Sequence, residues 1–285
     1  MSGPSVGLPG GLYFVATPIG NASDITLRAL HILETAEVIA AEDSRNTRKL
    51  MDIHGISLGE RRIIAYHDHN GAAVRPRLLA ALAAGRSVAY VSDAGSPMVA
   101  DPGYVLAREA IAAGHELTGA PGPSSVIAAL TIAGLPTDRF LFAGFAPSTS
   151  GARRRFYSEL ANVPATLVIF ESPRRIHKSL ADIALSMGED RQIALCREMT
   201  KKFEEVIRGN VAALGAQIEN RNLKGEIVLV IDRDRRQISD KDMDKELEIA
   251  LQTHTTKDAV NLVSENLGLP RRTVYQAALK IGRDR

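Results

Sequence analysis

The residues best suited to chemistry in this chain follow short apolar runs. One such run, residues 88–91, leads into Asp93-Ala94-Gly95-Ser96-Pro97, which combines a carboxylate, a hydroxyl, a glycine free to adopt positive φ and a proline that fixes the exit of the turn. Open α/β sheets bind ligands beyond the carboxyl ends of their strands, so this turn is a candidate ligand loop. Taken alone, the pattern is equally typical of an ordinary strand-to-helix turn.

Five other polar clusters follow apolar runs in the same way. They are residues 17–21, 42–45, 67–70, 171–175 and 197–202. A single cluster of this kind is usually a solvated turn. Six clusters that converge on one edge of a sheet favour a ligand site.

The elements that must position these clusters alternate along the chain. Residues 11–120 alternate five times between a short apolar strand and a helix, which is typical of a mostly parallel sheet with helices on both faces. A Gly- and Pro-rich junction at 119–125 precedes a second alternating block, in which a basic helix is predicted over 153–160. The predicted organisation is a disordered lead-in at 1–10, an α/β domain at 11–120, a second at 121–232, and a linker with a helix-turn-helix-like segment at 233–285.

Composition narrows the class of protein. Of 285 residues, 45% are hydrophobic and 24% charged, which is typical of a soluble globular protein, and no apolar run is long enough for a membrane helix. The single cysteine, Cys196, is interpreted as a core residue and suits a reducing cytoplasm. A net charge of +2 neither indicates nor excludes nucleic-acid binding, because local patches matter more than the total.

Several motifs are missing from the sequence. There is no Gly-x-Gly-x-x-Gly after a strand, no P-loop, and no Gly-x-Ser-x-Gly elbow between a predicted strand and a helix. These absences disfavour a nicotinamide or flavin Rossmann enzyme, a P-loop NTPase and an α/β-hydrolase. His67 and His69 stand two residues apart without a convincing set of further ligands, so no metal is expected.

Six motifs in order carry a resemblance to a known family. They are Thr17-Pro18-Ile19-Gly20-Asn21, Ala41-Glu42-Asp43-Ser44-Arg45, Ser92-Asp93-Ala94-Gly95-Ser96-Pro97, Gly119-Ala120-Pro121-Gly122-Pro123-Ser124, Phe170-Glu171-Ser172-Pro173-Arg174-Arg175 and Arg197-Glu198-Met199-Thr200-Lys201. Together they resemble the ribosomal RNA small subunit methyltransferase I family, whose members are tetrapyrrole-methylase-like enzymes. Each motif is weak alone, whereas six in order over residues 11–232 are specific.

The resemblance implies two α/β domains with S-adenosylmethionine in the cleft between them, a homodimer in the cytoplasm, and no membrane partner. It implies methyl transfer to the ribose 2′-hydroxyl of a cytidine in 16S ribosomal RNA of the small subunit. The residues expected to bind the cofactor are Pro18, Asp93, Ala94, Gly95, Ser96, Pro97, Ser124, Ser125, Phe170 and Glu171. The turn at 93–97 suits the polar methionine end, the two serines open a helix, and Phe170 offers an apolar surface for adenine.

Methyl transfer to a hydroxyl needs alignment and removal of a weakly acidic proton. Asp43 or Glu198 is expected to deprotonate or orient the hydroxyl, with Lys201 reducing the cost of the developing charge. The alternative is that residues 42–45 and 198–201 form only local ion pairs.

RNA contacts require exposed basic or polar surface. The residues expected to provide it are Arg45, His67, Asn70, Arg153, Arg154, Arg155, Arg174, Arg175, Arg271 and Arg272. Positive charge at the start of the helix predicted from Arg153 opposes the helix dipole, which favours a phosphate ligand there. Solvated helix faces are the alternative. Aromatic residues make up only 5%, so recognition through phosphate and shape is favoured over base stacking.

Two other functions remain open at the level of sequence. One is a methyltransferase acting on a small tetrapyrrole, although such a substrate needs neither basic clusters nor a helical tail. The other is a non-enzymatic regulator that binds nucleic acid through the terminal helix-turn-helix, which would leave the six clusters without a role.

Overall fold

The computed structural model describes residues 7–67, 69–98, 103–234, 240–267 and 269–283. Outside this description lie residues 1–6 of the predicted lead-in, residue 68 of the cluster at 67–70, and residues 235–239 and 268 of the segment predicted at 233–285. The chain divides into two compact units, Met1–Arg233 and Asp234–Arg285. The first unit contains two five-stranded sheets, each of which defines a lobe.

The first lobe alternates strands and helices, as the apolar periodicity predicts. Its elements are β1 (Gly11–Val15), α1 (Leu27–Thr35), β2 (Val38–Ala41), α2 (Ser44–Ile53), β3 (Ile63–Ala65), α3 (Gly71–Ala83), β4 (Ser87–Val91), α4 (Gly103–Ala112) and β5 (Leu117–Ala120). The sheet is entirely parallel, in the order β3-β2-β4-β1-β5. Phe14 and Tyr90 pack on one face, and Val15 and Val91 on the other, so both faces are buried. Because β4 lies beside β1, the loops that follow these strands are neighbours.

The second lobe has a mixed sheet, unlike the first. Its elements are α5 (Ser125–Ala133), β6 (Phe140–Phe145), α6 (Ser150–Leu160), β7 (Thr166–Glu171), α7 (Ile176–Met187), β8 (Gln192–Arg197), β9 (Glu205–Asn210), α8 (Val211–Ile218) and β10 (Ile227–Ile231). In the order β6-β7-β10-β8-β9, only β6 and β7 are parallel. A short loop joins β8 to β9 as a hairpin, and β10 runs antiparallel between β7 and β8. Cys196 of β8 is fully buried, which confirms its interpretation as a core residue, and burial raises the pKa of its thiol to about 12.

The second unit is a three-helix element with its own core. It consists of α9 (Asp240–Ala250), α10 (Thr256–Leu267) and α11 (Arg271–Arg283), all within the segment predicted at 233–285. Leu247, Val263 and Val274 are buried among these helices. Within the described residues, every helix is too short or too polar to cross a bilayer.

Candidate active site

The loops after β1 and β4 are joined backbone to backbone at the carboxyl edge of the first sheet. The amides of Thr17 and Gly95 each donate to the other residue's carbonyl oxygen at 3.0 Å. The Thr17 hydroxyl donates to the Ser92 carbonyl at 3.0 Å. Gly95 has φ +78°, a conformation that glycine adopts without the strain of a side chain. The turn at 93–97 is therefore held in one conformation by its neighbour.

Two side chains of this turn contact other loops. Asp93 Oδ1 accepts a hydrogen bond from the Asp43 amide at 2.8 Å, which fixes the start of α2. The Ser96 hydroxyl donates to the Pro123 carbonyl at 3.0 Å, which ties the turn to the segment leading into α5. These two contacts give Asp93 and Ser96 a role in shaping the loop.

The loop between β8 and β9 brings the second lobe against the first. Glu198 has φ +49° and Thr200 φ +64°, and left-handed backbone at non-glycine residues is often found at functional sites. The Asn21 amide donates to Thr200 Oγ1 at 3.1 Å. A Cβ on Gly20 would lie 2.5 Å from Lys201 Cγ and 2.6 Å from Thr200 Oγ1. The lobes can approach this closely only because residue 20 lacks a side chain.

Lys201 lies between two carboxylates at this junction. Its Nζ donates to Glu198 Oε1 and to Glu226 Oε2, both at 2.8 Å, and Glu198 Oε1 also accepts from the Glu226 amide. The hydrogen bond from Lys201 is the main cause that lowers the pKa of Glu198. Burial lowers the pKa of Lys201, but the two carboxylates outweigh burial, and its pKa is raised. Lys201 is therefore a cation, and Glu198 an anion, at neutral pH.

A first cavity of about 530 Å³ lies between the lobes. Its lining consists of Ile19, Ala94, Ser125, Phe145, Phe170, Glu171, Ser172, Pro173, Arg175, Met199, Gly225, Glu226, Ile227 and Val228. The volume falls within the range of about 300–1,000 Å³ typical of small-molecule sites. The rings of Phe145 and Phe170 lie 5.1 Å apart, centroid to centroid, and provide an aromatic wall. The lining therefore suits a small molecule with an aromatic part and a polar part.

A second cavity, of about 540 Å³, adjoins the first. Its lining consists of Thr17, Pro18, Ile19, Gly20, Ala22, Asn46, Thr47, Lys49, Leu50, Ile53, Ser92, Asp93, Ala94, Lys201 and Glu226. The two cavities share Ile19, Ala94 and Glu226. The Thr47 hydroxyl is buried and has no hydrogen-bond partner among the described residues. The second cavity thus offers an unsatisfied hydroxyl and the Lys201 ammonium to a ligand.

The structure distributes the expected cofactor residues over these two cavities. Ala94, Ser125, Phe170 and Glu171 line the first cavity, while Pro18 and Asp93 line the second. Gly95, Ser96, Pro97 and Ser124 belong to the supporting loops and to neither described lining.

The Glu171 carboxylate is bound within the second lobe. It accepts hydrogen bonds from the Ser179 hydroxyl at 2.6 Å and from Arg175 Nε at 3.0 Å. Since its side chain is fully buried, Glu171 contributes to the cavity wall but has little carboxylate surface to offer a ligand.

Asp43 forms a local ion pair. It is the N-cap of α2, and its carboxylate accepts hydrogen bonds from the Arg45 amide at 2.8 Å and from Arg45 Nη2 at 2.7 Å. The side-chain hydrogen bond from Arg45 is the main cause that lowers the pKa of Asp43 to about 2. A carboxylate with this pKa is a weak base at neutral pH. The geometry fits the ion-pair alternative better than a catalytic base, while Arg45 itself is 89% exposed.

His67 and Asn70 organise the loop after β3. Asn70 Oδ1 accepts from the His67 amide at 2.9 Å, and Asn70 Nδ2 donates to the Ala65 carbonyl at 3.0 Å. The rings of His67 and His69 lie 6.0 Å apart. In the part of the chain that the structure describes, no three His, Cys, Asp or Glu side chains converge as metal ligands would.

The expected RNA contact of Arg153 is wrong. The helix begins at Ser150, so Arg153 does not stand at its first residue, and its side chain is only 2% exposed. Its guanidinium pairs with Asp182 of α7, and Nη1 donates to the Ser148 carbonyl at 3.2 Å. A buried internal partner, and not a phosphate, balances the charge of Arg153.

The other expected RNA-contacting arginines differ in exposure. Arg154, Arg155 and Arg174 are exposed on the second lobe. Arg271 and Arg272 are exposed at the start of α11, in the second unit. Arg175 instead pairs with Glu171 at 2.8 Å and lines the first cavity. It therefore lies on the side of the expected cofactor.

Sequence reasoning missed several residues of the site. Gly225 and Glu226 precede β10, whereas the polar clusters identified in the sequence all follow predicted strands. Because β10 is antiparallel to β7 and β8, Ile227 pairs with Glu171 and Arg197, so the start of β10 lies at the carboxyl ends of its neighbours. Thr47 and Lys49 were missed because they lie within α2, whereas the polar cluster identified in the sequence ends at residue 45.

Family models match most of the chain. The model described as Tetrapyrrole (Corrin/Porphyrin) Methylases matches residues 11–215. The model described as the RsmI C-terminal HTH domain matches residues 237–282, which include all of α9 and α10 and all but the last residue of α11.

Curated relatives and a solved structure agree with these models. The chain is 49% identical to Ribosomal RNA small subunit methyltransferase I of Mesorhizobium japonicum over 80% of this chain and 77% of that one. It is 42% identical to the protein of the same name from Xylella fastidiosa strain Temecula1, over 94% of this chain and 98% of that one. The uroporphyrin-III-C-methyltransferase structure from Thermus thermophilus superposes with a TM-score of 0.55 at 25% identity, covering 79% of this chain and 94% of that one. The chain therefore belongs to the ribosomal RNA small subunit methyltransferase I family, within the tetrapyrrole methylases.

Proposed function

We propose that this protein transfers a methyl group from S-adenosylmethionine to the ribose 2′-hydroxyl of a cytidine in 16S ribosomal RNA of the small subunit. The observation that carries the proposal is the pair of adjoining cavities with Lys201 and Glu226 at their junction. Two adjacent cavities with a shared wall suit a reaction that must bring a donor and an acceptor together. A ribosomal RNA substrate also implies a cytoplasmic location.

The first cavity fits the cofactor by the chemistry of its lining. S-adenosylmethionine supplies an activated methyl group on a sulfonium sulfur. Phe170, with Met199 and Val228, offers apolar surface to an adenine ring. Ser125 and Ala94 of the turn at 93–97 offer polar groups to the methionine end. Ser125 is also the first residue of α5, where unpaired amides favour a carboxylate.

The second cavity is assigned to the acceptor nucleoside. Lys201, held as a cation by Glu198 and Glu226, stabilises negative charge that develops on the ribose oxygen as its proton leaves. Glu226 lines both cavities and is 75% exposed, so it is placed to accept a hydrogen bond from the 2′-hydroxyl. Glu198 lies outside both described linings and acts as a positioning residue for Lys201. Asp43 in turn fixes the start of α2, which forms one wall of this cavity.

An RNA substrate is favoured over a small tetrapyrrole by two features. The two curated relatives described above are named as ribosomal RNA methyltransferases, and the chain matches 77% and 98% of their lengths. The chain also has exposed arginines on two units, among them Arg154, Arg174 and Arg271. An RNA is an extended polyanion and can contact positive charge that is spread over both units, whereas a tetrapyrrole occupies a single cavity.

We further infer a homodimer. The strand β6 forms an edge of the second sheet and has Phe140, Leu141 and Phe145 exposed by 42%, 37% and 61%. Exposed apolar edge strands are normally covered by a partner. Light scattering on the purified chain should give twice the monomer mass, and a concentration-independent monomer would contradict this inference.

The direct test supplies radiolabelled S-adenosylmethionine together with 30S subunits, naked 16S RNA or a uroporphyrinogen. Label in a ribose 2′ position, located by nuclease-resistant dinucleotides, is the expected result. Label only in the tetrapyrrole would establish the alternative methyltransferase. Binding of nucleic acid without label in any acceptor would point to a regulator and refute the proposal.

Site variants sharpen this test. Lys201→Met and Glu226→Gln should lower the rate at saturating substrate while leaving cofactor binding, measured by calorimetry, close to wild type. Glu219→Gln, which changes an exposed carboxylate at the end of α8, is the matched control. Equal rates for all three variants would remove Lys201 and Glu226 from the reaction.

A further inference from the structure

A groove of about 690 Å³ runs along α2, on the side away from its buried face. Its lining consists of Ser44, Arg45, Arg48, Lys49, Asp52, Leu58, Gly59, Arg61, Arg62 and Ile63. Half of these residues are cationic and one is acidic. We call this surface the α2 groove. It contains no aromatic side chain, which makes it unsuited to stacking bases and suited to an extended polyanion.

Some cations of the α2 groove are held by other protein groups, whereas others are available to a ligand. The Arg61 guanidinium donates to the carbonyls of Leu33 and Ala36 at 2.9 and 2.8 Å, so Arg61 supports the fold. Arg48 lies 3.5 Å from Asp52 in an exposed pair, which is a weak interaction.

Lys49 and Arg62 are the available cations. Both are exposed, and neither forms an ion pair with a described carboxylate. Two cations that line the same groove without an ion pair make a site for anionic groups.

The helical geometry of α2 connects this groove to the acceptor cavity. Arg45, Arg48 and Asp52 follow helical spacing and face the groove, whereas Asn46, Leu50 and Ile53 follow the same spacing and face the second cavity. Lys49 lines both spaces. The groove is thus continuous with the cavity across one side chain.

The second cavity supplies an independent indication of a ligand at this point. The Thr47 side chain is 2% exposed, yet its hydroxyl has no partner in the described structure. Leaving a buried hydroxyl unsatisfied costs about 1–3 kcal/mol, and a bound ligand removes this cost. Thr47 and Lys49 line the same cavity, so this hydroxyl lies in the wall that a molecule entering from the α2 groove would pass.

Building on the proposed function, we propose that the α2 groove holds the phosphodiester backbone of the RNA segment beside the target nucleotide. Lys49 and Arg62 contact phosphates. The RNA strand passes Lys49, so that the target nucleoside occupies the second cavity. The groove is therefore the part of the surface that binds the RNA backbone by charge and leads it to the site.

The test compares Lys49→Gln/Arg62→Gln with wild type on 30S subunits and on a single-stranded RNA fragment. Each lost phosphate contact should reduce the slope of log affinity against log salt by about 0.7, so the double variant should lose about 1.4. The KM for RNA should rise, while the affinity for S-adenosylmethionine stays unchanged, because neither residue lines the first cavity. Arg77→Gln/Arg108→Gln is the control, because these exposed arginines lie on α3 and α4, which pack on the opposite face of the first sheet.

Each outcome separates the groove from the proposed function. If wild type methylates 30S subunits and the groove variant has the KM and salt slope of the control, the groove proposal is overturned and the function stands. If wild type methylates no RNA, the function itself fails. If the groove variant loses 30S binding but keeps the wild-type salt slope on free RNA, the groove contacts an acidic ribosomal protein, which would also overturn the proposal.

Discussion

The buried pair of Arg153 and Asp182 allows a quantitative test. Both side chains are almost fully buried, at 2% and 7% exposure, and Asp182 also accepts a hydrogen bond from the Ser150 hydroxyl at 2.9 Å. Replacing Asp182 with Ala would leave the Arg153 guanidinium buried without a counter-charge. Breaking a buried pair in this way typically costs about 3–5 kcal/mol.

The double variant Arg153→Met/Asp182→Leu should behave differently from Asp182→Ala. It removes both desolvated charges and leaves apolar side chains of similar size, a change that is often neutral or stabilising. It also removes the Arg153 Nε, which is buried and has no hydrogen-bond partner among the described residues. We therefore expect the double variant to lie within about 1–2 kcal/mol of wild type.

The assay is urea unfolding monitored by circular dichroism, with thermal unfolding as a second readout. For a unit of this size, about 3–5 kcal/mol corresponds to a fall of roughly 6–20 °C in Tm. Arg154→Met is the control, because its side chain is 54% exposed and should stay within about 0.5 kcal/mol of wild type. If Asp182→Ala costs less than about 1 kcal/mol, or the double variant is equally destabilised, the reasoning is wrong. The folded double variant should also keep wild-type RNA affinity, since Arg153 does not reach the surface.

Three further predictions concern the site. Thr47→Val should leave the free energy of unfolding unchanged or slightly raised. It should increase the KM for RNA roughly two- to tenfold, equivalent to about 0.5–1.5 kcal/mol, and leave the cofactor affinity measured by calorimetry unchanged. An unchanged KM would contradict the role of its hydroxyl. Gly20→Ala should separate the lobes and lower both cofactor affinity and methylation rate, whereas Gly151→Ala, whose added Cβ meets no atom within 4 Å, should be tolerated. Because the pKa of Glu198 is lowered from 4.5 in the folded protein, its pair with Lys201 stabilises the fold at pH values above 4.5. This contribution is lost as the pH falls through the lowered pKa. In urea titrations at acidic pH, the free energy of unfolding should depend less on pH for Lys201→Met than for wild type. Identical pH profiles would contradict the stabilising role of the pair.

Much of the architecture could be predicted from local pattern. The apolar runs that became β1, β2 and β4 are short and buried on both faces, which is the expected appearance of strands in a parallel sheet. The polar residues after these runs lie at one edge because parallel strands end on the same side. The mixed second sheet was not predictable in this way, since the direction of β10 depends on pairing between residues far apart in the chain.

The Arg153-Arg154-Arg155 run shows where local pattern fails. Successive residues of a helix differ in direction by about 100°, so three adjacent arginines cannot share one environment. Which of them is buried depends on the presence of Asp182 on α7, a different element of the second lobe. The three adjacent arginines predicted an exposed basic surface, but the packing of α6 on α7 buries Arg153.

The sequence by itself determined the type of each element and the chemical groups available at the strand ends, including the turn at 93–97 that follows β4. Those properties depend on neighbouring residues and on backbone preferences. Only the tertiary structure decided which groups face a ligand: it brought Glu226 from the start of an antiparallel strand to Lys201, tied Asp93 to the Asp43 amide, and left the Thr47 hydroxyl unsatisfied. The physical reason is that burial and hydrogen-bond partners are set by contacts between distant parts of the chain, which no local pattern encodes.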